Sequence, residues 1–294
     1  MTTIIEEGDK IGKIFLEKNE IEVETFKQIK SMIKNETIEN ARIMPDCHKS
    51  KNCCVGFTSK LIDKIVPNFV GGDIGCGIVS YPLNIEKKMK DWREKKLKNL
   101  SEDIYYEFNY LNKITVDKSK YISRILELSN QEVKQFVIYY KDKFQVDLSE
   151  KIPEYNHEWL DLLLQKVKSN LPELEKSLGT LGGGNHFIEF NRSEKTQLEY
   201  LTIHSGSRIM GKKICEYHQN KIIKQNEVDW EHFDREVLKF NKTNKNKKER
   251  ITFRDKLRSE MEIKDKKKYL DEDDAIDYYF DMIFGQKFAM INRE

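Results

Sequence analysis

The chain has 294 residues, 38% hydrophobic and 35% charged, a balance that supports a sizeable core beneath a heavily charged surface. Its 52 basic and 50 acidic side chains nearly cancel, so net charge selects neither nucleic acid nor an acidic substrate, and any basic surface must be local. No apolar run approaches the roughly 20 residues that span a bilayer, the first residues lack the pattern of a secretion signal, and five cysteines make no disulfide framework, so no membrane partner and a reducing cytoplasm are expected.

Residues 11–17 read as a short strand. Residues 22–33 read as an amphipathic helix with Phe26, Ile29 and Met32 on one face. An apolar strand over 41–44 stops at Pro45, and Asp46, Cys47 and His48 follow. Cys53 and Cys54 lie close by, but without paired Cys-x-x-Cys units the spacing is wrong for a zinc finger.

Gly71-Gly72-Asp73-Ile74-Gly75-Cys76-Gly77 then packs four glycines, a carboxylate and a thiol into seven residues. Its flanks, 65–70 and 78–81, read as short strands, so the glycines make a tight irregular turn. Such a turn can aim Asp73 and Cys76 at one point. A thiolate favours zinc or a similar ion and a carboxylate tolerates manganese. The same residues also fit a glycine-rich bend with a buried aspartate cap and a small apolar cysteine.

Residues 85–135 are polar and lysine-rich, as in surface helices and linkers. Residues 159–174 read as one helix that packs Leu160, Leu162, Leu163, Leu164, Val167 and Leu171 on the core. Gly182-Gly183-Gly184 precede Asn185-His186. They match neither a phosphate-binding P-loop nor the dinucleotide fingerprint, yet they can expose backbone N–H groups to an anion. In a strand Asn185 and Glu189 share a face and His186 takes the other, so either the strand begins after His186 or both faces line a site. A lone histidine also fits a satisfied core or surface position.

A β-branched strand over 200–204 ends at His204, before Ser205-Gly206-Ser207-Arg208 and a helix over 210–224. Ser205, Ser207 and Arg208 at a helix N-terminus can cradle a phosphate; the alternative is a capping serine and a surface arginine. Residues 239–268 are strongly basic, either reaching a nucleic-acid backbone or forming a solvated loop. Residues 271–274 open a last helix whose apolar face carries Tyr278, Met282, Phe284 and Phe288. Nothing in the sequence is seen to pack over it, which predicts an exposed patch.

Four stretches taken in order, Met44-Pro45-Asp46-Cys47-His48, Gly72-Asp73-Ile74-Gly75-Cys76-Gly77, Leu178 to Phe187 and Ile203-His204-Ser205-Gly206-Ser207-Arg208, resemble the RtcB family of RNA ligases. Phe288-Ala289 with Asn292-Arg293 resembles a later helix of that family. The resemblance implies an α+β fold of mixed sheets with surrounding helices. It also implies that residues 1–294 form a single RtcB-like domain, the N-terminal portion of the family's. The implied enzyme is a ligase that joins an RNA 3′-phosphate or 2′,3′-cyclic phosphate to a 5′-hydroxyl, using GTP and Mn2+, in tRNA splicing or RNA repair.

Carried over by motif, Asp73, Cys76 and His186 would hold one Mn2+, and Cys76 would bridge to a second shared with His204. Asn185 would contact the nucleotide phosphates. Asp46, Asn185 and Glu189 stand at catalytic positions, and Asn185, Glu189, Ser205, Ser207 and Arg208 at positions that face GTP. The family's later part supplies another metal-binding histidine, the histidine that carries GMP and much of the guanine pocket, whereas the last histidine here is His232. Lys49-Ser50 and Cys53-Cys54 stand where the family is richer in glycine and aromatic residues, and Gly183 where a serine is common. The expectation is an intact first metal site, an incomplete second one, and a separate C-terminal segment or activating protein as a partner beside GTP and RNA. A non-catalytic relative that binds metal, nucleotide or RNA ends, and an unrelated structural metalloprotein, are the competing readings.

Overall fold

The computed structural model describes residues 2–61, 64–83, 117–225, 229–263 and 268–294. They form two compact units, Met1–Phe69 with His218–Ala275 and Val70–Tyr217 with Ile276–Glu294.

The first unit is built on a four-stranded sheet. Strands β1 (Thr3–Glu7) and β2 (Lys10–Ile14) form an antiparallel hairpin turned at Gly8. Helix α1 (Val23–Ile33) carries the chain to β3 (Ile38–Ile43), which runs parallel to β2, and β4 (Phe57–Leu61) returns antiparallel to β3. The helix sits directly on the sheet, since a Cβ at Gly12 would stand 2.3 Å from Ile33 Cδ1. Ile14, Ile29, Met32, Ile33, Ile38 and Ile43 make the core that the periodicity of 22–33 predicts. Cys54 belongs to this core, and burial pushes its thiol up to about 12.

Residues 65–70 depart from the expected strand. Ile65 makes one bridge to Leu270, and Pro67–Val70 form a single helical turn. Proline favours that outcome, because its fixed φ suits a first helical position and it has no N–H for a ladder. The basic stretch also departs from a loop. Helices α6 (Trp230–Thr243) and α7 (Lys247–Ile263) flank only three connecting residues.

The second unit holds a three-stranded antiparallel sheet in the order β5 (Gly77–Leu83), β7 (Glu199–Ser205), β6 (Phe187–Arg192). Helix α2 (Ser119–Phe144) buries Ile122, Ile125, Leu126, Val133 and Val137, so this part of 85–135 is more than a surface helix; residues 85–116 of that reading lie outside the described residues. The single helix expected over 159–174 is two, α3 (His157–Lys166) and α4 (Leu171–Ser177), and Leu162, expected on the core, lies on the open side of α3. Asn170 caps the second one through its side chain, and Pro172 follows in its first turn. A capping asparagine and a proline stop an apolar period from running through as one helix.

Helix α5 (Arg208–Gln225) follows β7, and α8 (Glu272–Arg293) ends the chain; both begin in one unit and end in the other. The apolar face of α8, expected to lie open, is covered. Tyr278, Phe284 and Phe288 are fully buried, the Tyr155 hydroxyl donates to the Phe280 carbonyl at 2.8 Å, and Trp159 packs on Phe284 at 5.4 Å between ring centroids. Helices α2 and α3 supply what the sequence of α8 alone does not reveal. The whole is α+β, two small sheets with helices around them, as the sequence predicts. No described helix is long and apolar enough to cross a membrane.

Candidate metal centre

Sheet topology brings the candidate residues of the second unit together. Strands β5 and β6 begin, and the antiparallel β7 ends, at the same edge: Ile78 and Phe187 both pair with His204. Cys76 lies one residue before β5 and His186 one before β6. The strand therefore begins after His186, which removes the conflict of faces and turns that imidazole toward the centre.

Cys76 Sγ lies 3.2 Å from His204 Nε2 and 3.5 Å from His186 Nε2. The donor atoms of these three residues all lie within 4.8 Å of one another. With metal–sulfur and metal–nitrogen bonds of about 2.3 and 2.0 Å, two ligands of a tetrahedral ion stand about 3.5 Å apart. The observed separations fit such an ion without rearrangement. Asp73 Oδ2 approaches His186 Nε2 at 2.8 Å and adds an anionic oxygen beside the group. Residue Cys76 is exposed, while its sulfur is packed among these side chains. Burial of the sulfur first, and then the Asp73 carboxylate, push the thiol up to about 11. A bound cation reverses that preference, because a coordinating thiol is deprotonated outright.

The surroundings orient each ligand. His186 Nδ1 lies 3.1 Å from the Leu181 carbonyl, which can only accept. That carbonyl suits a proton on Nδ1, the tautomer that would leave the Nε2 lone pair for an ion placed between it and the Asp73 carboxylate. Asp73 Oδ1 accepts from the Ser207 N–H at 3.0 Å and from its hydroxyl at 3.4 Å, at the start of α5. This close approach needs glycine next door: a Cβ at Gly206 would stand 2.2 Å from both Asp73 oxygens. The turn at Gly75, with φ of +77°, is equally tight, since a Cβ there would reach within 2.8 Å of Gln286 Cα on α8.

The last turn of α8 ties these loops to one another. Asn292 Oδ1 accepts from the N–H groups of Gly179 and Thr180, at 2.8 and 3.2 Å. Its Nδ2 donates to the Thr180 carbonyl, the Ser205 hydroxyl and the Gly206 carbonyl, at 3.0–3.2 Å. Arg293 Nη1 donates to the carbonyls of Gly75 and Ser205, both at 2.8 Å. Thr180, Leu181, Asn292 and Arg293 carry no role in the sequence reading. The sequence marks them only as members of the stretches that resemble the family, without a role for any of them.

The remaining candidates are placed as follows. Ser205 and Ser207 are buried; Ser205 Oγ donates to Leu181 O at 2.8 Å, and Ser207 serves Asp73. Arg208 takes a left-handed φ of +54°, its Nε donates to Thr180 Oγ1 at 3.2 Å, and its Nη1 lies 3.3 Å from His186 Nδ1. The second guanidinium nitrogen, Nη2, has no hydrogen-bond partner among the described residues. Asn185 is exposed beside His186. Glu189 is exposed on β6 and accepts from Asn191 Nδ2 at 3.0 Å. Asp46 belongs to the first unit, where its carbonyl lies 2.9 Å from His48 Nδ1.

The profile of the RtcB family, described as tRNA-splicing ligase RtcB, matches residues 28–294. The chain is 26% identical over 230 residues to a tRNA-splicing ligase RtcB of Methanococcus maripaludis, covering 69% of this chain and 46% of that protein. It is 29% identical over 176 residues to the RNA-splicing ligase RtcB of Escherichia coli K12, covering 60% of this chain and 38% of that protein. A second Escherichia coli protein, RNA-splicing ligase RtcB2, is 23% identical over 188 residues, covering 60% and 36%. The chain thus spans less than half the length of these relatives. The family match takes in every residue of the centre, and the chain belongs to the RtcB family.

Proposed function

We propose that this chain serves GTP- and Mn2+-dependent ligation of an RNA 3′-phosphate or 2′,3′-cyclic phosphate to a 5′-hydroxyl, in tRNA splicing or RNA repair, as one RtcB-like domain. The observation that carries the reading is the meeting of Cys76, His186 and His204 at one sheet edge with Asp73 beside them. Asp73, Cys76 and His186 would hold one ion, and His204 with Cys76 would hold a second. Divalent ions here supply charge neutralisation on phosphoryl oxygens. The protein's own part is orientation: Leu181 holds the His186 tautomer, Ser207 holds Asp73, and α8 clamps both loops.

Arg208, with N–H groups to spare, faces a nucleotide phosphate together with Asn185 and the Gly182–184 backbone, while Ser205 and Ser207 hold the turn that presents it. Glu189, on the sheet face of His204, serves the reaction here, and Asp46, in the first unit, keeps the catalytic role that the resemblance alone gives it. All five cysteines are free, in keeping with a reducing cytoplasm.

The test is binding followed by joining. Co2+ is expected to give a thiolate-to-metal absorption band in the wild type and none in Cys76→Ser, and GTP is expected to bind only with metal present. Joining is then followed on a denaturing gel with RNAs ending in 3′-phosphate and 5′-hydroxyl, with and without a separately supplied C-terminal segment. No metal band in the wild type, or no joined product under either condition, rejects the reading.

A further inference from the structure

The tip of the α6–α7 hairpin in the first unit concentrates positive charge. Nine of the chain's 52 basic residues but only two of its 50 acidic ones lie in 239–258, so the rest of the molecule carries net negative charge. The bend between the helices is tied from within. Glu249 accepts from Asn244 Nδ2 at 2.6 Å and from Asn246 Nδ2 at 2.8 Å, and Arg250 donates to the carbonyls of Asn241 and Asn244. One of the two acids and one arginine are thereby spent on the bend itself.

Lys239, Lys242, Lys245 and Lys248 recur at every third position, with Lys247 beside them. All five are exposed, and none forms an ion pair with another described residue. Five unneutralised ammonium groups on a short rigid tip raise the local potential despite the near-zero net charge.

Two aromatic side chains of the hairpin face each other, and Trp230 stays 48% exposed. Phe240 stacks on Phe253 across the two helices, with centroids 4.1 Å apart and ring planes within 6°, and Trp230 packs edge-on against Phe233. Trp230, Leu238 and Ile251 stay exposed, but the Trp230 ring lies under the Arg258 guanidinium at 5.7 Å, and two further aliphatic side chains do not make the broad apolar face with which an interfacial helix enters lipid. What the tip offers is cationic charge on a rigid frame.

We propose that this tip is a docking surface for the phosphate backbone of RNA, independent of base sequence and separate from the metal centre. The choice of RNA among polyanions rests on the ligase reading. Each lysine that neutralises a phosphate releases condensed counterions, so binding weakens with salt in proportion to the number of contacts.

The experiment compares the wild type with Lys242→Gln/Lys245→Gln/Lys247→Gln/Lys248→Gln, using a labelled hairpin RNA, across a salt series. Circular dichroism and Mn2+ content serve as controls for folding. Affinity at low salt is expected to fall about tenfold or more, and the slope of log K against log salt to flatten by about 3 for four lost contacts. Metal and GTP binding stay as in the wild type. Equal affinity and slope in the two proteins overturn the proposal. So does binding of phosphatidylserine vesicles in preference to RNA, which would make the tip a membrane-surface element. Failure of the ligase reading looks different: wild-type protein that holds the RNA by its lysines yet takes up no metal and joins no ends.

Discussion

Cys76 would be the one soft, anionic ligand of the proposed centre, and its sulfur touches both imidazoles. Cys76→Ala is expected to abolish stoichiometric metal binding, whereas His186→Ala or His204→Ala, which keep the thiolate, cost less. Atomic absorption on dialysed protein decides: equal, sub-stoichiometric metal in wild type and Cys76→Ala would refute the assignment. Gly206→Ala probes the carboxylate. The new Cβ would lie 2.2 Å from both Asp73 oxygens, so Asp73 must swing away from Ser207 and His186. We expect metal affinity to fall about 10–100-fold, as for loss of an orienting partner. Arg208 separates strain from function. Its φ of +54° costs a non-glycine residue about 1–2 kcal/mol. Arg208→Gly should therefore melt above Arg208→Ala, while both lose GTP affinity in Mn2+ to the same extent. Unchanged GTP affinity in both would remove Arg208 from the nucleotide site.

At the scale of elements, α8 does the most for the site without touching the proposed ion. Asn292 joins the loop before β6 to the loop after β7 through five hydrogen bonds, and Arg293 ties both β5 and β7 ends. Asn292→Ala leaves buried donors and acceptors unpaired, at about 1–3 kcal/mol. Thermal unfolding is expected to show that loss, and metal titration a weakened site, although residue 292 is no ligand. A lower melting temperature with full metal affinity would restrict Asn292 to a general structural role. The helices were legible where their pattern is local: α1 follows from Phe26, Ile29 and Met32, and the start of α5 from the small-residue turn before it. Strand and helix were confused at 65–70 because a short apolar run with a proline carries no period, and α3 and α4 were merged because the apolar spacing continues past a break that Asn170 and Pro172 impose.

At the scale of the molecule, the centre lies wholly in the second unit. Saturating Mn2+ is expected to slow amide exchange at 71–77, 179–187 and 203–208 and to leave β1–β4 as they are. Binding at about 100 times the dissociation constant adds about 2.7 kcal/mol to the stability of the unit that holds the ion. Uniform protection of both sheets would contradict a site confined to one unit. The proposed ligation would make a second demand, since a phosphoramidate needs a neutral imidazole in line with the nucleotide's α-phosphate. Beside the ligands His186 and His204 the chain offers His48, His157, His218 and His232, none at the position that the resemblance assigns to the nucleophile. These 294 residues alone are expected to take no label from α-labelled GTP with Mn2+ on a denaturing gel. A labelled band that disappears in His48→Ala or His232→Ala would overturn that expectation.

The sequence by itself determined which chemical groups are present and in what order: a thiol and a carboxylate among glycines, two histidines beside strands, and amphipathic helices whose period repeats within a few residues. Those properties are local and can be read along the chain. Only the tertiary structure decided that Cys76, His186 and His204 share one sheet edge, because antiparallel pairing of β7 with β5 and β6 joins residues more than a hundred positions apart. It also decided that the apolar face of α8 is covered by α2 and α3, and that Asn292 and Leu181 hold the ligands in place. Each of these depends on the partner that a side chain meets, and a partner is a property of the fold rather than of any stretch of sequence.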